Sequence, residues 1–308
     1  MDLDLLASLL YATFRTGTPI LLVALGELIC EKSGVLNLGQ EGVMLMGAVT
    51  GFIVVSQFDS YALGIFTSVL TGIVMAAIFA FITLTLQANQ VASGLALAIF
   101  GTGLSAFIGT DYQGQSIAGL PSLAVPHLSE ISVIGPAFFQ HDILVYTSLA
   151  ATFLLWWNLK YARLGLILKA VGENPDAANA LGLPVLKVRY LAVLFGGAMS
   201  GLAGAYVSLV YTPLWAENMT AGRGWIAVAL VVFASWRISR VLLGAYLFGL
   251  ASILHLVAQV FGADISPNLL AALPYAATIV VLVILSSNQT RHKLFAPLAL
   301  AIPWHKSR

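Results

Sequence analysis

The residues able to do covalent or proton chemistry are few and scattered in this 308-residue chain. Its five histidines, His127, His141, His255, His292 and His305, form neither an HExxH pair nor any other metal-ligand spacing, and no GxSxG precedes a helix. The lone Cys30 excludes an internal disulfide and has no clustered partners for a metal. Residues 26–33, GELICEKS, mimic a phosphate-binding loop, but Glu31 stands where glycine should precede the lysine, and a carboxylate there repels phosphate. His255 falls in an apolar stretch, where a proton-relay role competes with a neutral histidine bonded to a neighbouring helix. No catalytic residue, metal site or cofactor motif is assigned.

Composition explains why chemistry is so sparse. With 59% hydrophobic and 9% charged residues and a mean hydropathy of +0.94, the chain has too little polar surface to cover a soluble globule. It is expected to be all-α: a single domain over residues 1–308, a polytopic transmembrane helical bundle of about 8–10 spans in a lipid bilayer. A net charge of +1 without a basic stripe argues against a nucleic-acid partner.

Taken in order, residues 5–28 form the first candidate span, interrupted by Arg15 and Pro19. An arginine near a span's centre costs about 2.5–3.5 kcal/mol, so the part before Pro19 either enters the membrane or lies on its surface, as the spacing of Leu3, Leu6, Leu10 and Phe14 allows. The leading MDLDLL is acidic where a signal peptide is basic, so this segment is expected to be retained. A polar island follows at 27–41, ELICEKSGVLNLGQE, and the apolar stretch 42–56 after it is short for a span. Either residues 34–56 form one broken helix with Asn37, Gln40 and Glu41 at membrane depth, or a plain loop adjoins a short helix. Further spans are expected at 62–86, 91–110, 142–158, 190–211, 225–235, 241–261 and 269–285, with a long glycine- and proline-rich loop at 111–141. The 225–235 segment is again short, and Pro274 predicts a kink. Gly47 and Gly51, and Gly197, Gly201 and Gly204, have the spacing that lets helix backbones meet closely.

Charge orients the set. No Lys or Arg occurs between residues 33 and 159, which places the 111–141 loop outside. Residues 160–189 carry five of the fourteen basic residues, Lys160, Arg163, Lys169, Lys187 and Arg189, and with Arg237, Arg240 and the tail at 286–308 they mark the cytoplasmic side. Inside that loop lies a well-signalled short helix between two loops. Asn174 is a good N-cap, Pro175 suits the first helical position, and Asp176 puts a carboxylate near the positive dipole end. Ala177, Ala178, Ala180 and Leu181 propagate it, and Gly182 with Pro184 stops it. So short a helix must dock on something, whether its own chain or a partner.

These residues resemble a known family. Residues 18–48, TPILLVALGELICEKSGVLNLGQEGVMLMGA, residues 170–189, AVGENPDAANALGLPVLKVR, and GGAMSGLAGAYVSLVY followed by MTAGRGWIAVALVVFASW are similar to the membrane permeases of bacterial ABC importers in the branched-chain amino acid and ribose permease superfamily, nucleoside-type permeases above all. The resemblance implies that Gly172, Glu173, Asn174, Pro175, Ala178 and Gly182, with Asp176 beside them, form a coupling helix that seats in a separate ATPase subunit. It implies that Asn37, Gly39, Glu41 and Gly42 form a motif near the translocation path, next to Gln40, and that Gly222, Arg223 and Gly224 form another near the outer face. Asn37, Gln40, Glu41 and Arg223 are therefore the substrate-path candidates. The implied partners are an ABC ATPase subunit, a second permease subunit that is this chain or a sister, and an extracytoplasmic substrate-binding protein. The implied solute is a nucleoside or purine-like molecule, with a monosaccharide as the alternative, and the implied location is a bacterial-type cytoplasmic membrane. Outside the family, an ion-coupled carrier would need a functional His255 or Glu41. One departure stands out: residues 234–240 read ASWRISR, where relatives have glycine before the tryptophan and proline soon after.

Overall fold

The structure is a computed structural model that describes residues 3–129, 131, 134–260 and 296–305. Eleven α-helices are described: α1 (Leu3–Lys32), α2 (Gln40–Phe58), α3 (Tyr61–Ala80), α4 (Gln90–Gly109), α5 (Ile134–Phe138), α6 (Ile143–Tyr161), α7 (Arg163–Glu173), α8 (Pro175–Ala180), α9 (Val185–Tyr206), α10 (Arg223–Phe233) and α11 (Ile238–Val260). Single π-helical turns extend α3 over Phe81–Thr85 and α9 over Val207–Tyr211. Among the described residues the one departure from helix and loop is an isolated antiparallel bridge between Ser116 and Leu214. Among the described residues five helices are long and apolar enough to cross a membrane: α1, α2, and α3, α4 and α9 with their extensions. The chain is an all-α polytopic bundle. The expected 269–285 span, Pro274 and the His255 side chain lie outside the described residues.

Several helix starts are decided by local chemistry. Asn89 accepts from the Ala92 amide at 2.9 Å, and Asp142 accepts from Leu144 at 2.9 Å and Val145 at 3.1 Å, capping α4 and α6. Gly34, at a φ of +90°, ends α1 in a conformation that a side chain disfavours.

The first span is one continuous helix, and no separate surface segment precedes Pro19. Arg15 is accommodated inside the bundle because its guanidinium donates to the Val210 carbonyl at 2.6 Å. That carbonyl lies in the π-helical extension of α9, where the helix presents unpaired acceptors and a negative dipole end. The apolar row from Ile20 to Leu25 is fully enclosed by α9, α10 and α11.

Around α9 the bundle is held by glycine. A Cβ on Gly47 would lie 2.7 Å from the Gly201 carbonyl oxygen, and Gly72 meets Gly197 and Gly201 backbone to backbone. In α2 and α4 the same economy recurs, since a Cβ on Gly42 would lie 2.6 Å from the Ala98 carbonyl. Both GxxxG patterns therefore serve close packing of α2, α3 and α9, where dispersion replaces the hydrophobic drive that lipid cannot supply. The outward faces stay apolar: Ile99 is 74% and Phe107 78% exposed on α4.

The two ends of the bundle differ. One, here called the basic end, gathers the C-terminus of α1, the segment holding α7 and α8, the α10–α11 turn and residues 296–305. The other gathers the 111–141 loop, whose backbone is pinned at Gly114, Ile117 and Leu120 to the carbonyls of Trp215, Pro213 and Leu209. That loop is not wholly irregular, since it contains α5. A charged interval read as two loops around one short helix also holds the 11-residue α7. Its apolar residues Gly165, Leu168, Val171 and Gly172 are buried at spacings of three and four, a helical period masked by the flanking Arg163 and Lys169.

The glycine contacts make a graded prediction. Gly47→Val is expected to lower the thermal stability of the membrane-embedded protein by at least about 1–3 kcal/mol through backbone overlap with Gly201. Gly103→Ala, on α4 with nothing within 4 Å of the new Cβ, is expected to leave stability unchanged or raise it by up to about 1 kcal/mol. Equal unfolding temperatures for the two variants would contradict the packing account.

Candidate functional site

Two polar constellations sit where the apolar bundle can least dilute them. The first begins with the segment between α1 and α2, which turns back into the protein at the level of Glu27. Glu27 is wholly buried. Its carboxylate accepts from the Asn37 amide at 2.9 Å and from the Gln40 side-chain amide, while Gln40 accepts from the Ser200 hydroxyl at 2.5 Å. Asn37 in turn accepts from the Gly39 amide at 2.9 Å, folding the turn that starts α2. So α1, the turn, α2 and α9 are joined by one buried chain of hydrogen bonds.

The second constellation is centred on Glu41. Its carboxylate accepts from the Thr220 hydroxyl at 2.5 Å, the Gly222 amide at 2.8 Å and the Gly224 amide at 2.6 Å. These donors belong to the N-terminus of α10, which has no side-chain cap of its own. Glu41 supplies that cap from another helix, satisfying donors that would otherwise be orphaned at an end carrying partial positive charge. The glycines follow from the geometry. Gly222 sits at a φ of +79°, and a Cβ on Gly224 would lie 2.6 Å from the Glu41 Cα.

α10 is too short to span a bilayer: eleven residues rise about 16 Å, roughly half the hydrocarbon thickness. Its other end reaches the basic end, where Trp236 donates to Glu31 at 2.5 Å. Its capped N-terminus is therefore inside the bundle, as are Gln40 and Glu41 at the start of α2. The break expected over 34–56 falls in the 33–39 turn, and α2 is regular from Gln40 onward.

Of the sequence candidates, Asn37, Gln40 and Glu41 come together in this buried seam. Arg223 stands between Gly222 and Gly224, whose amides bond Glu41, but its side chain turns to its own turn. Its guanidinium donates to the Met219 carbonyl at 3.2 Å and the Thr220 carbonyl at 3.0 Å, and lies 4.9 Å from the centre of the Tyr211 ring. It clasps the turn that delivers α10.

The basic end carries the second set of candidates. The Asn174 side chain accepts from the Ala177 amide at 2.9 Å, and Gly182 leaves the helix at a φ of +79°. Buried Ala178 packs with Val171 and Val185 under Trp304, and the Trp304 indole donates to Asp176 at 2.8 Å. Gly172 is also buried, against the Lys32 carbonyl. Glu173, Asn174, Asp176, Ala177, Ala180, Leu181 and Gly182 remain exposed, Leu181 by 80%. The helix thus docks on its own chain through one face and presents the other.

Sequence reasoning missed four participants. Glu27 reads only as part of a polar island and Glu31 only as a bar to phosphate, and the Trp236 partner of Glu31 lies 205 residues away. Arg189 counted merely as loop charge, yet it is buried and donates to the Ser33 carbonyl at 3.2 Å and the Ile302 carbonyl at 3.3 Å. Trp304 lies in the tail at 286–308, which the sequence marks only as basic and cytoplasmic; an isolated tryptophan there is the available signal. The departure at ASWRISR also has a geometry: Ser235 has a φ of +51° and Trp236 of +53°, a region that favours the glycine relatives place before the tryptophan.

Glu41→Gln tests the interhelix cap. An amide turns one acceptor into a donor facing donors, so the variant is expected to lose about 2–3 kcal/mol of stability and to show faster hydrogen exchange at Gly224 and Trp225. Unchanged exchange at those amides would show that α10 does not depend on the carboxylate.

Comparison with known proteins gives this architecture a family. Residues 9–285 match the family described as branched-chain amino acid transport system / permease component. A protein of Haloferax volcanii, provisionally named as the glucose ABC transporter permease protein TsgC13, is 47% identical over 266 residues, covering 85% of this chain and 81% of the relative. The nucleoside ABC transporter permease protein NupC of Lactococcus lactis subsp. cremoris is 31% identical, covering 94% of each chain. The guanosine ABC transporter permease protein NupQ of Bacillus subtilis is 31% identical, covering 92% of this chain and 93% of its own. No solved structure gives a significant match. A helical bundle with a buried half-length helix and a family match over nearly its whole length leads to one conclusion: the chain belongs to the branched-chain amino acid transport system permease family, and is a multi-pass cytoplasmic-membrane subunit of an ABC transporter, a transport component like its relatives.

Proposed function

We propose that this chain is one membrane half of an ABC importer for a small sugar-bearing solute, with a monosaccharide as the first reading and a nucleoside as the second. The observation that carries the order is the 47% identity to a relative named for glucose, against 31% to relatives named for nucleosides. That reverses the preference drawn from sequence motifs, which are common to both branches.

In this reading the basic end faces the cytoplasm, as the concentration of Lys and Arg there favours. The exposed face of α8, with Glu173, Asn174, Asp176 and Leu181, seats in an ATPase subunit. A second permease subunit completes the pathway, and an extracytoplasmic binding protein delivers solute to the end bearing the 111–141 loop. ATP-driven closure of the ATPases pushes α8, and the push passes through Trp304, Gly172 and Arg189 to the ends of α1 and α9. The seam of Asn37, Gln40 and Glu41 ties α1, α2, α9 and α10, so a shift of those ends moves the half-helix that borders the path. An ion-coupled carrier is less well supported, because Glu41 is fully engaged by three protein donors.

Two measurements test this. Uptake of labelled glucose, ribose, adenosine and guanosine is compared in source cells with and without the gene, under an uncoupler that leaves ATP intact. Uncoupler-resistant loss of sugar uptake is the expected result; loss of nucleoside uptake alone selects the second reading, and uptake abolished by the uncoupler removes the ATP-driven one. In the reconstituted transporter, Glu173→Lys with Asp176→Lys is expected to leave ATP hydrolysis running while solute accumulation falls at least tenfold, a loss on the order of 1.4 kcal/mol of coupling. Wild-type coupling in that variant would remove α8 from the mechanism.

A further inference from the structure

At the basic end a cleft of about 680 Å³ opens between the ends of α1 and α6, the helix α7 and the α10–α11 turn. It is separate from the buried seam and shares only Glu173 with the exposed surface around α8. Four cationic side chains line it, Lys32, Lys160, Lys169 and Arg237, against the single carboxylate of Glu173. Trp156 and Trp236 form its apolar wall. The size is that of a small-molecule site, about 300–1,000 Å³.

The cations are placed by the fold. Lys169 donates to the Leu159 carbonyl at 2.6 Å, which holds its ammonium at the end of α6. The Lys160 ammonium lies 5.1 Å from the Trp156 ring centre and 4.9 Å from that of Tyr161, so two aromatic faces share it. An excess of positive charge against partly apolar walls favours an anion, since the local potential is screened less than on an open surface.

What lies beside the cleft selects among anions. The stretch of α6 that leads away from it exposes Phe153 by 62%, Leu154 by 60% and Trp157 by 50%, an apolar surface suited to lipid acyl chains. An occupant with a phosphate in the cleft and acyl chains along Phe153 and Leu154 satisfies both features. We propose that this cleft is a headgroup site for an anionic glycerophospholipid of the leaflet at the basic end. Bound there, the lipid bridges α6, α7 and the α10–α11 turn, and so braces the base on which α8 stands. The inference rests on the membrane placement of the chain and not on its solute, so the uptake experiments can fail without affecting it.

The test uses the full chain in nanodiscs of phosphatidylcholine alone or mixed with phosphatidylglycerol, read by native mass spectrometry of retained lipid and by unfolding temperature. Phosphatidylglycerol is expected to be retained and to raise the unfolding temperature. Lys160→Gln, at an exposed side chain, should unfold like wild type in phosphatidylcholine yet hold phosphatidylglycerol about fivefold more weakly. Lys187→Gln removes the same charge from the same end but outside the cleft, and should behave as wild type. Equal retention by the Lys160 variant, or no preference for phosphatidylglycerol, overturns the site. The same stabilisation by soluble glycerol phosphate in phosphatidylcholine discs overturns the lipid assignment in favour of a free phosphate.

Discussion

The carboxylate of Glu41 against the N-terminus of α10 is the interaction on which the architecture turns. A helix that begins inside a bundle brings unpaired amides and a positive dipole end into surroundings that cannot hydrate them. A side chain from the same helix could have capped them, but α10 starts with Gly222, Arg223 and Gly224, which provide none. The anion is therefore imported from α2. Once that is so, the backbone must approach closely enough for both carboxylate oxygens to reach amides, which excludes a side chain at position 224, and Arg223 must fold back onto carbonyls of its own turn.

The remaining constraints are arranged around that one. The Glu27, Gln40 and Ser200 chain fixes where α2 begins, and so fixes where its next residue, Glu41, points. The glycine contacts of α2 and α3 with α9 set the distance at which these polar groups meet. Neither device would suffice alone. Glycine contacts permit sliding along the helix axis, whereas directional hydrogen bonds do not; polar ties without close packing would leave gaps where each unsatisfied group costs several kcal/mol, on the order expected for hydrocarbon.

How much of this could be read from the residues depended on how local its cause is. The α8 helix was legible from end to end, because Asn174, Pro175 and Gly182 act within their own turn. For Asn37, Gln40 and Glu41 the residues left a broken helix and a plain loop open, and it is the structure that shows all three buried in one seam. The partners of Glu41, some 180 residues away, were not legible, and neither was the tie of Glu31 to Trp236. Arg223 became a candidate through the resemblance of residues 222–224 to a family signature, and the hydrogen bonds of its side chain to its own turn were not announced by that likeness. Helix α7 was hidden because its charged ends read as loop, although its buried face keeps a helical period.

Residues 296–305 give the basic end a temporal order. Ala299 and Ala301 donate to the carbonyls of Gly172 and Gly34, Ile302 receives Arg189, and Trp304 closes over Ala178 while holding Asp176. A ribosome makes α8 more than a hundred residues before it makes Trp304. Until then the short helix lacks the indole that covers it, and a marginal two-turn segment has little reason to hold its shape in water. The surface proposed to meet the ATPase is thus completed only after the membrane helices described here have been synthesised, so premature pairing with a half-inserted chain is disfavoured by the order of synthesis itself.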